Sequence, residues 1–353
     1  MPIRQGKITI HLGPQEQGGP DDLMQPIVDF IDSARRRQSL MIAVQEIDHE
    51  PIARAIIRAR ERGVTIDVVI EQSYLLNDRI PADPMKAGGR HEINRMLFSA
   101  LLRSKIDVKS DYNTDIFHQK FMVLGNRVLT GSTNFTTTGV TKNLNHVVEV
   151  NDAAVANAYK REFREIKRGN FGKYSVDREE KPKEVSVSGV RVKPLFAPDH
   201  APEMEIMKQI LKARERVDFA VFTFSESSGI DDALLAAKDR GVQVRGVLDS
   251  RQANQRWAAS HGLKAAGGID LFVAGNRGGL GKVHHKLMTI DDKLTIWGSF
   301  NYTGPANKTN DENILIIGDL EETRASARTA QQRIALQARE EIDRIVTDFG
   351  RHF

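Results

Sequence analysis

The chain has 353 residues and no cysteine. Disulfide stapling, Cys-ligated zinc, iron–sulfur clusters and a thiol nucleophile are therefore excluded. Aromatic residues are scarce, at 6%, so composition offers no evident stacking platform for single-stranded nucleic acid. No apolar run reaches the ~18 residues that a membrane-spanning helix needs. The opening MPIRQGKITIHLG has no apolar h-region, so no secretory signal is read and the expected location is the cytoplasm. Charge of one sign is also lacking: 51 Lys+Arg against 47 Asp+Glu leave +4, with a pI near 9.1. That balance permits an anionic partner, nucleic acid or a phospholipid surface, without requiring one.

What the sequence does have is internal similarity. Leu40–Val44 reads as a buried strand, and Pro51–Arg62 as an amphipathic helix with Ile52, Ala55, Ile56 and Ala59 on one stripe. Gly63 is placed to end the helix, and Val64–Ile70 follows as a β-branched strand. The order recurs at Phe219–Phe224, Asp231–Arg240, Gly241 and Val242–Leu248, where RERGVTIDVVIE and KDRGVQVRGVLD align without a gap. Strands alternating with helices at this spacing imply βαβ units and a largely parallel sheet in each half. The expected organisation is a first half at 1–170, a charged linker at 171–188 and a second half at 189–353. From Leu320 onward, one or two long helices are expected to pack onto the second half.

Two blocks carry chemistry. The first is Phe117-His118-Gln-Lys120, followed by Gly131-Ser132-Thr-Asn134-Phe135-Thr136. The second is His284-His-Lys286 with Asp291, followed by Gly298-Ser299-Phe-Asn301-Tyr302-Thr303. The Gly-Ser element begins 13 residues after the His in the first block and 14 in the second. Glu312 lies 11 residues past Asn301, and Asn145 holds the corresponding place in the first half. On a strand, His and Lys two apart project from one face. Two such pairs meeting about a pseudo-twofold axis would make a phosphate pocket. Lysines neutralise phosphate oxygens, one neutral imidazole attacks phosphorus, and the other, protonated, serves the leaving oxygen. No metal or other cofactor is needed, because the cations are side chains.

The paired blocks resemble the His-x-Lys-x4-Asp motifs of the phospholipase D superfamily, and the similarity covers both halves. The resemblance implies an α/β fold of two α/β/α halves with one active site at their interface. It also implies two-step phosphodiester cleavage through a phosphohistidine. The implied site is His118, Lys120, His284, Lys286, Asp291 and Glu312, with Ser132, Asn134, Ser299 and Asn301 binding substrate. The first half departs from the pattern at Gly125, where the motif has Asp, and at Asn145. Because a carboxylate favours imidazolium, Asp291 or Glu312 is expected beside His284 as general acid, leaving His118 as nucleophile. His285 should point away from the site, and His146 receives no role.

The block neighbourhoods are similar to those of bacterial phospholipase D-like endonucleases, which favours DNA or RNA as substrate. Arg35–Arg37, Arg54, Arg58 and Arg62 could meet a phosphate backbone. The segments Tyr74–Arg95 and Ser250–Gly262, the latter with Arg251, Arg256 and Trp257, read as loops framing a cleft. The alternatives are a phospholipase D or phosphatidyltransferase acting on membrane phospholipid, and a non-catalytic nucleic-acid-binding module. Both motifs lie in one chain, so a monomer suffices and no protein partner is expected.

Overall fold

Two sheets of matching construction organise the chain. The computed structural model describes residues 1–77, 79–174, 181–275 and 278–353. Residues 175–180, within the expected linker, lie outside the described residues, as does Asp78 in the expected loop after Tyr74.

The first sheet contains β1 (Ile3–Gln5), β2 (Ile8–Gly13), β3 (Ser39–Val44), β4 (Thr65–Ile70), β5 (Asp107–Ser110), β6 (Lys120–Leu124), β7 (Arg127–Gly131) and β8 (Asn145–Asn151). The second contains β9 (Val185–Val187), β10 (Val190–Ala197), β11 (Arg216–Val221), β12 (Gln243–Asp249), β13 (Ile269–Ala274), β14 (Lys286–Ile290), β15 (Leu294–Gly298), β16 (Glu312–Gly318) and β17 (Arg351–His352). Their orders are β1-β2-β8-β7-β6-β3-β4-β5 and β17-β13-β12-β11-β14-β15-β16-β10-β9. Read from opposite ends they coincide, apart from β17 added beside β13.

The expectation of largely parallel sheets is corrected here. Only β3–β4–β5 and β11–β12–β13 run parallel, while the motif strands and those beyond them pair antiparallel. The reason is local: each His-x-Lys strand is joined to its Gly-Ser strand by a hairpin too short for a crossover. In the first half Leu124 pairs Arg127, leaving the two-residue loop Gly125-Asn126. In the second Ile290 pairs Leu294, leaving three residues. That extra residue is the difference between the spacings of 13 and 14. Gly125 has φ +59°, the left-handed value that a two-residue hairpin favours at its first position and that glycine adopts freely.

Strand alternation divides the core. Phe121, Val123, Val128 and Val148 of the first sheet share one apolar cluster with Leu287, Trp297 and Leu315 of the second. The helices Ala153–Arg168 and Ala325–Phe349 contribute Tyr159, Phe163, Ile334 and Ile342 to it. Outward-facing neighbours such as Met122 and Met288 join separate clusters beneath the outer helices. Burial on both faces explains why the central strands read as continuous apolar runs. The stretch after Leu320 forms a single long helix, Ala325–Phe349, which lies against β13–β15 and also reaches β1 of the first half. The segment after Tyr74 is irregular only in part, since the helix Glu92–Arg103 begins inside it. Two short helices, Ser250–Ala253 and Ser260–Ala265, occupy its second-half counterpart.

Candidate active site

The two motif hairpins meet through reciprocal backbone hydrogen bonds. The His118 amide donates to Asp311 O and the His284 amide to Leu144 O, both at 2.9 Å. Each histidine therefore sits against the start of the other half's Asn/Glu strand. His118 and His284 line one cleft of about 330 Å³, along with Gln45, Glu46, Tyr74, Ile116, Asn134, Phe222, Thr223, Lys282, Asn301, Thr303, Pro305 and Asn310.

The hydrogen bonds cross between halves. His118 Nδ1 lies 2.7 Å from Glu312 Oε2, which also accepts the Ser299 hydroxyl at 2.6 Å. His284 Nδ1 lies 2.9 Å from Asn145 Oδ1, which accepts the Ser132 hydroxyl at 2.8 Å. Asn145 Nδ2 donates to Gly139 O and Asn143 O, so its oxygen is the atom that faces His284. Both imidazoles thus carry their proton on Nδ1 and leave Nε2 free for chemistry.

This overturns one expectation. Glu312 supports His118, not His284, and a neutral amide holds His284. Asp291 reaches neither histidine. It lies at the far end of β14, roughly 16 Å along the strand from Lys286 at the usual rise per residue. There its carboxylate accepts the amides of Arg214, Glu215 and Arg216 at 2.8–2.9 Å, a role in fixing backbone rather than in the cleft.

Lys120 and Lys286 are buried, and each donates at 2.8 Å to the carbonyl of its own motif histidine. Lys120 also reaches Gln45 Oε1 at 3.3 Å. Burial pulls Lys120 down to about 7, with Glu312, Glu46 and Glu71 opposing. Burial and then Lys120 hold Lys286 well below its ordinary range. Burial and the two lysines hold both His118 and His284 well below the usual imidazole value. Burial raises Glu312 to about 8, against the pull of Lys120. An anion entering this cleft would reverse the penalty on the lysines by neutralising them.

The walls were not legible in full from the motifs. The first-half wall carries Gln45, Glu46 and Tyr74, and Asn134 Nδ2 donates to Glu46 at 2.9 Å. Burial and neighbouring Asp48 raise Glu46 to about 7. The opposite wall carries Phe222, whose ring lies 4.9 Å from His284 and 5.1–5.2 Å from the ammonium groups of Lys282 and Lys286. Asn134 Oδ1 and Asn301 Oδ1 have no hydrogen-bond partner among the described residues. Glu46 and Phe222 were findable in principle, since both lie just past the C-terminal ends of the central parallel strands, β3 and β11. Tyr74 and Phe222 give the cleft aromatic groups that the low overall content had not suggested.

The arginines singled out as a basic face are partly neutralised. Arg54 pairs with Glu50 at 2.5 Å, and Arg58 and Arg62 both pair with Asp32, at 2.6 and 3.1 Å. Among the described residues, no helix is long and apolar enough to cross a membrane.

The chain is similar to known proteins in sequence and in fold. The family model described as "Cardiolipin synthase, PLD-like domain" matches residues 27–167 and 206–334. "Phospholipase D" of Rickettsia bellii is 36% identical over 138 residues, which cover 38% of this chain and 65% of that protein. "Mitochondrial cardiolipin hydrolase" of Xenopus tropicalis is 34% identical over 110 residues, covering 31% of this chain and 50% of that protein. The chain thus spans less than two thirds of these curated relatives' length. Among solved structures, phosphatidylserine synthase from Haemophilus influenzae Rd KW20 superposes over 100% of this chain and 89% of its own. The TM-score is 0.67 and the identity 14%, a likeness of fold.

Proposed function

The chain belongs to the phospholipase D superfamily of phosphodiesterases, and on that premise we propose that it is a nuclease acting on single-stranded DNA or RNA. The cleft lining carries this reading. Beside His118 and His284 it presents the amides of Gln45, Asn134, Asn301 and Asn310, the hydroxyls of Thr223 and Thr303, and the rings of Tyr74 and Phe222. Amides and hydroxyls suit sugar and base edges, and aromatic faces stack on bases. The paired Arg54, Arg58 and Arg62, on and just after the Glu50–Glu61 helix, offer less to the long charged face of a duplex.

In the mechanism, Lys120 and Lys286 bind the non-bridging oxygens, with Asn134 and Asn301 assisting. His118 Nε2 attacks phosphorus as the bond to the leaving oxygen breaks. The bound phosphate offsets the charge of the two lysines, so His284 takes a proton from solvent on Nε2 as substrate binds and gives it to that oxygen. Water then attacks the phosphohistidine, with neutral His284 taking its proton and His118 departing. If a carboxylate neighbour merely marked the acid, these two roles would be exchanged. The covalent intermediate favours the present assignment instead. Phosphorylation at Nε2 leaves Nδ1–H on a cationic ring, which Glu312 stabilises and Asn145 could not. An imidazolium facing an amide is also the stronger acid, and so the better proton donor.

A second reading has its own observation. Ile116 at the cleft is 46% exposed, and the segment after Tyr74 exposes Leu76, Ile80 and Met85 by 52%, 89% and 93%. Apolar side chains there suit a phospholipid surface, and the curated relatives are named for lipid hydrolysis.

The test is cleavage of single-stranded and plasmid DNA, RNA, and phosphatidylcholine or phosphatidylglycerol vesicles in excess EDTA. Strand cleavage lost in both His118→Ala and His284→Ala supports the nuclease. Vesicle hydrolysis without strand cleavage replaces it with the lipid reading. Binding of strands that survives both substitutions, without cleavage by the wild type, leaves a binding module.

A further inference from the structure

Behind the cleft, on the opposite face of each motif strand, lies a second pair of equivalent positions. In the first half Gln119 follows His118, and its Oε1 accepts from Asn313 Nδ2 at 2.7 Å. Gln119 Nε2 donates to Glu162 of the Ala153–Arg168 helix at 3.2 Å. In the second half His285 follows His284, and its Nδ1 lies 3.1 Å from His146 Nδ1. His285 Nε2 faces Glu341 Oε1 of the C-terminal helix at 3.4 Å. One pair is made of amides and the other of imidazoles, at matching places. All four side chains are fully buried.

The surroundings settle where the imidazole protons sit. The Gly298 amide donates to His146 Nε2 at 3.0 Å, so that nitrogen carries no proton. A neutral His146 must then hold its proton on Nδ1 and donate it to His285 Nδ1. His285 consequently carries its proton on Nε2 and donates it to Glu341. Two Arg344 nitrogens, at 2.9 and 2.8 Å, fix the Glu341 carboxylate. A second proton on either ring would place two donors face to face. The charged groups facing the pair are Glu341 and Arg344 from the C-terminal helix and Lys286 from β14. Trp297 of β15 packs edge-on against His146. Burial keeps both imidazoles below their usual value.

We propose that His146 and His285 are positioning residues for His284, an oriented chain of neutral imidazoles that holds Ser132 and Asn145 in place. His146 meets Ser132 twice through its backbone and once through its ring, whose Nδ1–H is shared with His285. Its backbone N–H donates to Ser132 Oγ at 3.1 Å, its carbonyl accepts the Ser132 N–H at 3.1 Å, and its Nδ1 lies 3.3 Å from the same Oγ. Ser132 donates in turn to Asn145 Oδ1, the atom that orients His284. The half that lacks a carboxylate at its histidine thus has a rigid ring pair where the other half has amides. This role rests on the reading of His284 as the proton-transfer residue.

The test joins two measurements on the full chain. Nitrogen-15 NMR of the histidines between about pH 6 and 8 should show His146 as the Nδ1–H tautomer and His285 as the Nε2–H tautomer, both neutral. An imidazolium or the opposite tautomer at either residue overturns the chain, whatever the protein cleaves. Kinetics on a dinucleotide, whose leaving alcohol needs a proton, should show His146→Ala lowering kcat by about 10²-fold with KM nearly unchanged, the scale expected of a misplaced group. The double variant His146→Asn/His285→Gln installs the first half's amide pair and should recover kcat to within about tenfold of wild type. Wild-type kcat in His146→Ala, or a folded double variant no better than it, overturns the positioning role. A wild type that cleaves no phosphodiester overturns the functional reading instead, and the tautomers still decide the geometry.

Discussion

His118 and His284 occupy equivalent places on equivalent hairpins, and each is oriented from the opposite half. What orients them differs in kind: on one the Glu312 carboxyl, which the proposed cationic intermediate would ionise, and on the other the neutral Asn145 amide. The layer behind differs too, with amides behind His118 and imidazoles behind His284. So do the walls, where Gln45 and Glu46 face Phe222 and Thr223 across the cleft. A repeat with a shared site lets each copy specialise, and the proposed two-step reaction would use this, since it needs one group that stays bonded to phosphorus and one that only moves protons.

Removing either histidine gives the largest expected effect, a loss of about 10⁴-fold or more on a substrate with a poor leaving group. A p-nitrophenyl diester separates the two, since its leaving group needs no proton. His284→Ala should still form a phosphohistidine with it, and His118→Ala should not. A label trapped on His284 in the wild type would reverse the assignment.

Next comes the charge itself. Glu312→Gln should lower kcat by about 10²- to 10³-fold by withdrawing stabilisation from the cationic intermediate. The exchange Glu312→Gln/Asn145→Asp moves the carboxylate to the other histidine. Peptide mapping of the trapped label should then find it shifting toward His284, and a label that stays put would show that the carboxylate does not set the nucleophile.

Asp291 sharpens the comparison from outside the cleft. Asp291→Ala strips three backbone amides of their acceptor and should cost about 2–3 kcal/mol of stability, read by thermal or urea unfolding. The kcat of the folded fraction should hold, whereas a residue acting in the cleft would lose it.

A smaller effect concerns pH. The Glu46 carboxyl is raised from 4.5 to about 7, so its stabilising contribution is present below pH 4.5 and is lost as pH rises to about 7. Over the same rise its charge opposes an anionic substrate. KM should therefore climb above neutral pH, and Glu46→Gln should make that climb shallower, leaving Lys120 to carry it. An unchanged slope would remove Glu46 from the substrate's surroundings. Smallest of all, Arg58→Ala should alter single-strand affinity less than about twofold, because the guanidinium is already paired and exposed.

Much of the architecture was legible in the chain itself. The aligned RERGVTIDVVIE and KDRGVQVRGVLD became β4 and β12, each flanked by two parallel neighbours. The apolar stripe at Ile52, Ala55, Ile56 and Ala59 became the buried face of a helix. Alternation placed His285 on the face away from the cleft, as its Glu341 contact shows. The antiparallel majority is not legible in strand composition, because turn length sets direction: Gly125-Asn126 admits only a hairpin. His146 carries no such signal, because no motif surrounds it in the chain, although it immediately follows Asn145.

By itself, then, the sequence determined the repeat, the order of the elements and the two His-x-Lys pairs proposed to meet a phosphate. These follow from periodicities of two and 3.6 residues, which are local. Only the tertiary structure decided which group serves which histidine. Glu312 lies 194 residues from His118, and Asn145 lies 139 from His284. Spacing within a half points each group to its own histidine, but the reciprocal seam between the halves sends it across to the other.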